Sequence, residues 1–161
     1  MKVPLRYQNT EYDCGTTSFV NALAYLYDRE DIPVELLTKY FVEYANKNDK
    51  FDVNCEILYG KDVTLDKIKD TVSMNGVVIA RCFQDIEHYV LITDVDDNFT
   101  YIFDPYYLDE KYYCDDDDVA IVLHETFTHN RVVKNERLFD ESLKDFSLLE
   151  KNKRSIILLK R

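Results

Sequence analysis

VVIARCFQDIEHYVLITDVDDNFTYIFDP, residues 77–105, is the stretch that decides the fold class. Within it VVIARCF, HYVLITDV and FTYIFDP are rich in β-branched and aromatic residues and are set apart by turn signals, so each predicts a strand. Outward from this block, VAIVLHE (119–125) and SIILLKR (155–161) are further strand candidates, and LFDESLKDFSLLEKNK (138–153) shows no clear period. Upstream the period is helical. A first helix starts at Asp13 or Cys14, with Asp13 able to cap it and Phe19, Val20, Leu23, Ala24 and Leu26 as its inward stripe. A second is expected over IPVELLTKYFVEYA (32–45), with Asp31 as cap and Pro33 in its first turn. The polar segment NKNDKFDVNCEILYGKD (46–62) reads as a loop with a short extended piece around Cys55. A third helix, TLDKIKDTVSM, begins at Thr64 and is terminated by Asn75-Gly76. Helices first and strands afterwards predict an α+β fold, with N-terminal helices packed on an antiparallel β-sheet, in one domain spanning residues 1–161.

Composition narrows the function classes. The net charge of −11 argues against nucleic acid as a partner, because phosphate contacts need clustered Lys and Arg. The longest apolar runs are about a strand in length, well short of the roughly 20 residues of a membrane span. MKVPLRYQ carries no apolar signal-peptide core, so a cytoplasmic location is the expectation. The four cysteines form no CxxC pair, and no His stands at zinc-finger spacing. Asp residues in DVDDN (94–98) have calcium-loop spacing, but Phe99 replaces the required Gly, and a hairpin turn explains them better. DDDD (115–118) reads as a solvated acidic loop. No metal and no cofactor is assigned.

Chemistry points first to Cys14. A thiol becomes a useful nucleophile where its thiolate is stabilised, and the uncapped N–H groups and dipole of a helix start do this. Only Cys14 is predicted at such a position; Cys114 precedes four Asp residues, Cys55 lies near Asp52 and Glu56, and Cys82 is in mid-strand. A base is needed to protonate the leaving group. His88 opens one predicted strand and Asp104 closes the next, each eight positions from Asp96. A hairpin about DVDDN brings them together at its open end, and an odd-length loop keeps both on one face. An Asp beside His fixes its tautomer and stabilises the imidazolium. Gln8, six residues before Cys14, is an uncharged donor able to share an oxyanion with the Cys14 N–H.

Gln8-x5-Cys14-Gly15, His88 at a strand start and Asp104-Pro105 sixteen residues later together resemble the bacteriocin-processing cysteine peptidase family. These are papain-like domains that cleave double-glycine leader peptides and are usually fused to ABC exporters. The resemblance covers about residues 4–108, and NRVVKNERLF (130–139) and SIILLKR look similar to stand-alone members that lack an exporter. It implies a papain-like fold and a peptide or protein substrate. It also implies Cys14 as nucleophile, His88 as base, Asp104 as orienting residue and Gln8 as oxyanion donor. The sequence contains no GxxxxGK[ST] phosphate loop, so the resemblance extends to cleavage and not to export. Two other readings stay open: a thiol acyltransferase or deamidase on the same fold, and a non-catalytic peptide-binding domain. Oligomeric state is left open.

Overall fold

The computed structural model describes residues 5–27, 53–125 and 127–161. The helix expected over 32–45 lies outside the described residues. Helix α1 spans Cys14–Leu26 and α2 spans Leu65–Ser73; a four-residue turn of helix, α3, covers Asn135–Leu138. The strands are β1 (Asn54–Tyr59), β2 (Val77–Gln84), β3 (Ile86–Val95), β4 (Phe99–Phe103), β5 (Val119–Ile121), β6 (Arg131–Lys134) and β7 (Ser155–Lys160). They form one seven-stranded sheet in the order β1-β7-β2-β3-β4-β6-β5, with every neighbouring pair antiparallel. The architecture is therefore α+β with an antiparallel sheet.

Both faces of the sheet are covered, which explains why its central strands read as near-continuous apolar runs. On one face α1 packs against β3 and β2, over a cluster of Leu5, Ala22, Val77, Ile79, Leu91, Phe103 and Leu159. On the other, Ile68 of α2 joins Val78, Ala80, Val90, Ile92 and Ile102, and Phe146 and Leu148 close the cluster from the segment after α3. Full burial of side chains of this size contributes about 1.5–3 kcal/mol each. The edge strand β1 is different: all its residues but Leu58 are exposed, so NCEILY carries no regular alternation to mark a buried face, and a six-residue strand stands where only a short extended piece was expected. At the other edge only VAI of VAIVLHE pairs. In α1 the buried residues are Ser18, Asn21, Ala22 and Leu23, while Phe19, Val20, Ala24 and Leu26 of the expected stripe are half-buried.

Helix α2 begins and ends as its sequence requires. Thr64 accepts a hydrogen bond from the Lys67 N–H at 3.3 Å. At the other end Asn75 adopts φ 59°, and the N–H groups of Asn75 and Gly76 bond to the carbonyls of Val72 and Thr71, closing a Schellman turn. A Cβ on Gly76 would lie 2.7 Å from two carbonyl oxygens, those of Leu159 and Thr71, so the turn and the adjoining β7 both depend on glycine there.

Register in the β3–β4 hairpin decides the face on which His88 and Asp104 lie. The strands are joined by the three residues Asp96–Asn98. Beside the turn Val95 faces Thr100 and Asp94 faces Tyr101. Continued unchanged, that register would put His88 and Asp104 on opposite faces, because side chains alternate along a strand. A bulge between Ile92 and Asp94 adds one residue, so Ile92 then faces Ile102 and Leu91 faces Phe103. Thr93, buried in the bulge, donates its hydroxyl to the Thr128 carbonyl at 2.9 Å. The expected shared face is reached, but through this bulge and not through loop length alone.

Among the described residues no helix is long and apolar enough to cross a membrane.

Candidate active site

The site begins with a buried pair. His88, two positions into β3's buried alternation, places Nε2 2.8 Å from Oδ1 of Asp104, which follows the last residue of β4. Asp104 is fully buried and His88 nearly so. A carboxylate oxygen only accepts, so Nε2 carries the proton and Nδ1 is left as the ring's acceptor.

Asp104 is held from several sides. Its N–H donates to Asn130 Oδ1 at 2.7 Å, and Asn130 Nδ2 donates back to its carbonyl at 2.8 Å. Oδ1 also accepts the Tyr106 N–H at 2.8 Å. Arg131, with no exposed surface, sets Nη2 3.4 Å from Oδ2 and supplies the opposite charge that a buried carboxylate requires. The same guanidinium donates to the Tyr106 and Asn130 carbonyls at 2.8 and 2.9 Å. Gln84 Nε2 lies at the outer hydrogen-bond limit, 3.5 Å from Oδ2. Sequence reasoning gave Asn130, Arg131 and Gln84 no role. The available signal was an Asn-Arg pair leading into the two valines of β6, in NRVVKNERLF.

Cys14 stands at the first position of α1, as expected. The helix start crosses β3 beside His88: a Cβ on Gly15 would touch the Tyr89 ring at 3.5 Å, and Ser18 Oγ donates to the Tyr89 carbonyl at 3.1 Å. Asp13 does not cap the helix through its side chain. Its carboxylate turns back to accept from the Asn9 and Thr10 N–H groups at 3.2 and 3.0 Å. Desolvation opposes its ionisation, but these donors outweigh that and hold it below the usual carboxylate range. The adverse charge beside Cys14 is thus engaged elsewhere, and the first turn of α1 has no side-chain cap. Among the described residues no hydrogen bond links Cys14 Sγ to His88.

Gln8 reaches the site through its backbone. Its N–H donates to the Pro105 carbonyl at 2.8 Å, next to Asp104. Asn21, buried in α1, fastens the same segment by accepting from the Arg6 N–H at 2.8 Å and donating to the Arg6 carbonyl at 2.9 Å. The Gln8 side-chain donor Nε2 is bound to the Thr10 carbonyl at 2.9 Å, while Oε1 is buried without a partner. Gln8, Cys14, His88 and Asp104 are therefore gathered at one end of the sheet, with the His–Asp bond formed and the Gln8 donor turned within its own loop.

Two of the remaining cysteines have settings that oppose ionisation. Cys82 faces His88 across β2–β3 and is fully buried. Burial first, then the charges of Asp104, Asp145 and Cys14, push its thiol well above the ordinary value, as for an inert packing residue. Partial desolvation by its neighbours also raises the thiol of Cys55, although the residue is exposed on edge strand β1. No three His, Cys, Asp or Glu residues among those described are grouped to hold a metal ion. Asp116 and Asp118 of the acidic run are instead bound by Arg137 and Lys134 at 2.9–3.2 Å. Comparison with protein-family models, curated proteins and solved structures gives no match.

Proposed function

We propose that the chain is a papain-like cysteine hydrolase that cleaves a peptide bond. The observation that carries this reading is the buried His88–Asp104 pair, its Nδ1 left as acceptor, beside the uncapped helix start that bears Cys14. In the proposed reaction His88 Nδ1 takes the proton of the Cys14 thiol, and the resulting thiolate adds to the carbonyl carbon as the C=O electron pair moves to oxygen. The Cys14 N–H and Gln8 Nε2 receive that oxyanion, the latter after leaving the Thr10 carbonyl. His88 passes a proton from Nδ1 to the nitrogen as the C–N bond breaks, leaving a thioester on Cys14. Water then gives a proton to Nδ1 and its oxygen to the thioester, which releases the acid and restores the thiolate. Asp104 keeps the ring oriented and balances the imidazolium while it exists. Resemblance to the bacteriocin-processing peptidases supports a peptide with a double-glycine motif as the first substrate to test.

A non-catalytic peptide-binding domain is the second reading. It is favoured by the engagement of Gln8 Nε2 with Thr10 and by the lack of a bond between Cys14 and His88. The rate of Cys14 alkylation by iodoacetamide against pH separates the two, with Cys14→Ala as the control for the other thiols. An activated pair gives a reactive plateau well below the ordinary thiol value of about 8.5, and His88→Ala abolishes it. An ordinary titration, unchanged by His88→Ala, would overturn the catalytic reading.

A further inference from the structure

Tyr12, Ile86, Tyr106 and Tyr107 are 89%, 63%, 42% and 58% exposed. Each lies within three residues of Cys14, His88 or Asp104 along the chain. Large apolar side chains collected at one end of a sheet, around a reactive centre, mark a recognition surface more strongly than isolated ones do.

Two of the tyrosines are also rigidly mounted. Tyr106 is fixed at its N–H by Asp104 Oδ1 and at its carbonyl by Arg131, both at 2.8 Å. Its ring stands edge-on to His88, with centroids 6.5 Å apart and planes at 82°. Tyr107 stacks edge-on against Tyr7 at 5.4 Å, and Tyr7 in turn packs on the buried Phe103 at 5.6 Å. Rigid, half-exposed tyrosines present apolar area at little entropic cost on binding. The exposed charges next to them in sequence are unequal: Glu11, Asp85, Glu87, Asp109 and Glu110 against Arg6 and Lys111, with Glu87 held by Arg81 at 3.2 Å. This local excess has the same sign as the whole chain, and tyrosine faces also attract cations.

We infer that the tyrosine shelf beside His88 binds a cationic peptide in which basic residues alternate with large apolar or aromatic ones. This rests on the cysteine-hydrolase reading for its biological sense, but it is tested separately. Tyr106 and Tyr107 receive the apolar side chains, and the acidic rim receives the Lys or Arg groups. The same rim repels acidic peptides.

The test uses three labelled ten-residue peptides: Lys alternating with Phe, the same peptide with Glu for Lys, and the same with Ser for Phe. Fluorescence anisotropy with the full-length Cys14→Ala chain reads affinity. The Lys–Phe peptide is expected to bind at least about tenfold more tightly than either of the others, and Tyr106→Ala with Tyr107→Ala to weaken it about fivefold or more. With the unsubstituted chain, the same peptide should slow iodoacetamide labelling of Cys14. Equal binding of the Ser-substituted peptide would reduce the effect to bulk charge and overturn the inference. Tight binding without protection of Cys14 would place the peptide elsewhere and overturn it too. Circular dichroism of the double variant confirms that it is folded, and Tyr106→Phe, which keeps the ring, should retain binding. The labelling rate in the absence of peptide reports on the cysteine-hydrolase reading alone, so the two can fail independently.

Discussion

His88 and Asp104 sit on adjacent strands of a sheet covered on both faces, tied to each other and to Asn130, Arg131 and Tyr106 by contacts of 2.7–3.4 Å. Gln8 and Cys14 sit on a coil and a helix start, fastened to the rest by the Asn21–Arg6 pair, the Gln8–Pro105 bond and the Ser18–Tyr89 bond. The base half is preorganised by residues distant in sequence. The nucleophile half is arranged mostly by neighbours within its own loop, where the Thr10 carbonyl holds the Gln8 donor that the proposed chemistry would need free. On the proposed cysteine-hydrolase reading, a site divided in this way would keep the proton-transfer geometry constant and leave closure of the oxyanion site to substrate, because catalytic hydrogen bonds often tighten only when substrate is bound.

The strongest way to test this division is to remove one chemical group from each half. Cys14→Ala and His88→Ala should each lower peptide-cleavage kcat/KM by about 10⁴-fold, with near-equal losses because the two act as a unit. A double variant no worse than either single one would confirm the coupling. Arg131→Met acts on stability: it strands the buried Asp104 carboxylate and should cost about 3–5 kcal/mol, read as a lower urea midpoint. Loss of less than about 1 kcal/mol would show that Asn130 and Tyr106 alone suffice to hold Asp104.

Gln8 gives the next effect in size. If its Nε2 swings to the oxyanion, Gln8→Ala lowers kcat by about 10²–10³-fold with little change in urea midpoint. If it remains on Thr10, kcat is unaffected and the loss is of loop order only. Asn21→Ala removes both bonds to Arg6 and should cost about 1–3 kcal/mol while raising the proteolytic sensitivity of the segment that carries Gln8. The base half should keep its protection from amide exchange in that variant.

The smallest effect is on acid stability. Asp96 accepts from the Asn98 and Phe99 N–H groups and the Tyr101 hydroxyl, and these hold its carboxyl below the usual range; Ser142 and Lys144 lower Asp140 to about 2. Carboxyls whose folded pKa is depressed stabilise the fold above their unfolded value of about 4 and cease to do so as pH falls through the folded value. Urea midpoints should therefore fall from pH 4 toward pH 2, and Asp96→Asn should flatten part of that slope. Asp96 is exposed and Asp140 is only half-buried, so the change is modest.

Most helix and strand positions could be read locally. The Asn75-Gly76 stop, the Thr64 cap and the three strands of residues 77–105 each follow from residue type and short-range spacing, and the four candidate site residues could be named the same way. The segment after α3 could not be read. Leu143, Phe146 and Leu149 adopt φ of 53°, 66° and 66°, conformations that bulky residues occupy only when tertiary contacts require them. Those contacts come from elsewhere: Phe83 pairs with Phe146 and Ser147 at 2.8 Å, and the nearly buried Arg154 binds the Leu149 and Phe139 carbonyls. Strand β1 was hidden for a simpler reason, since an exposed edge needs no regular apolar alternation and NCEILY has none.

By itself the sequence determined the α+β class, the helices of residues 14–26 and 65–73, the three central strands and the residue types available for chemistry, because capping, periodicity and turn preference act over a few residues; β6 and the full length of β1 were not among the elements it marked. Tertiary structure alone decided that His88 and Asp104 share a face, since the Thr93 bulge corrects the register. It also set Asn130 and Arg131 behind Asp104, twenty-six and twenty-seven residues further along the chain, and turned Asp13 and Gln8 toward Thr10. Each of these depends on contacts between segments whose approach is fixed only when the whole sheet is assembled, and no local spacing records them.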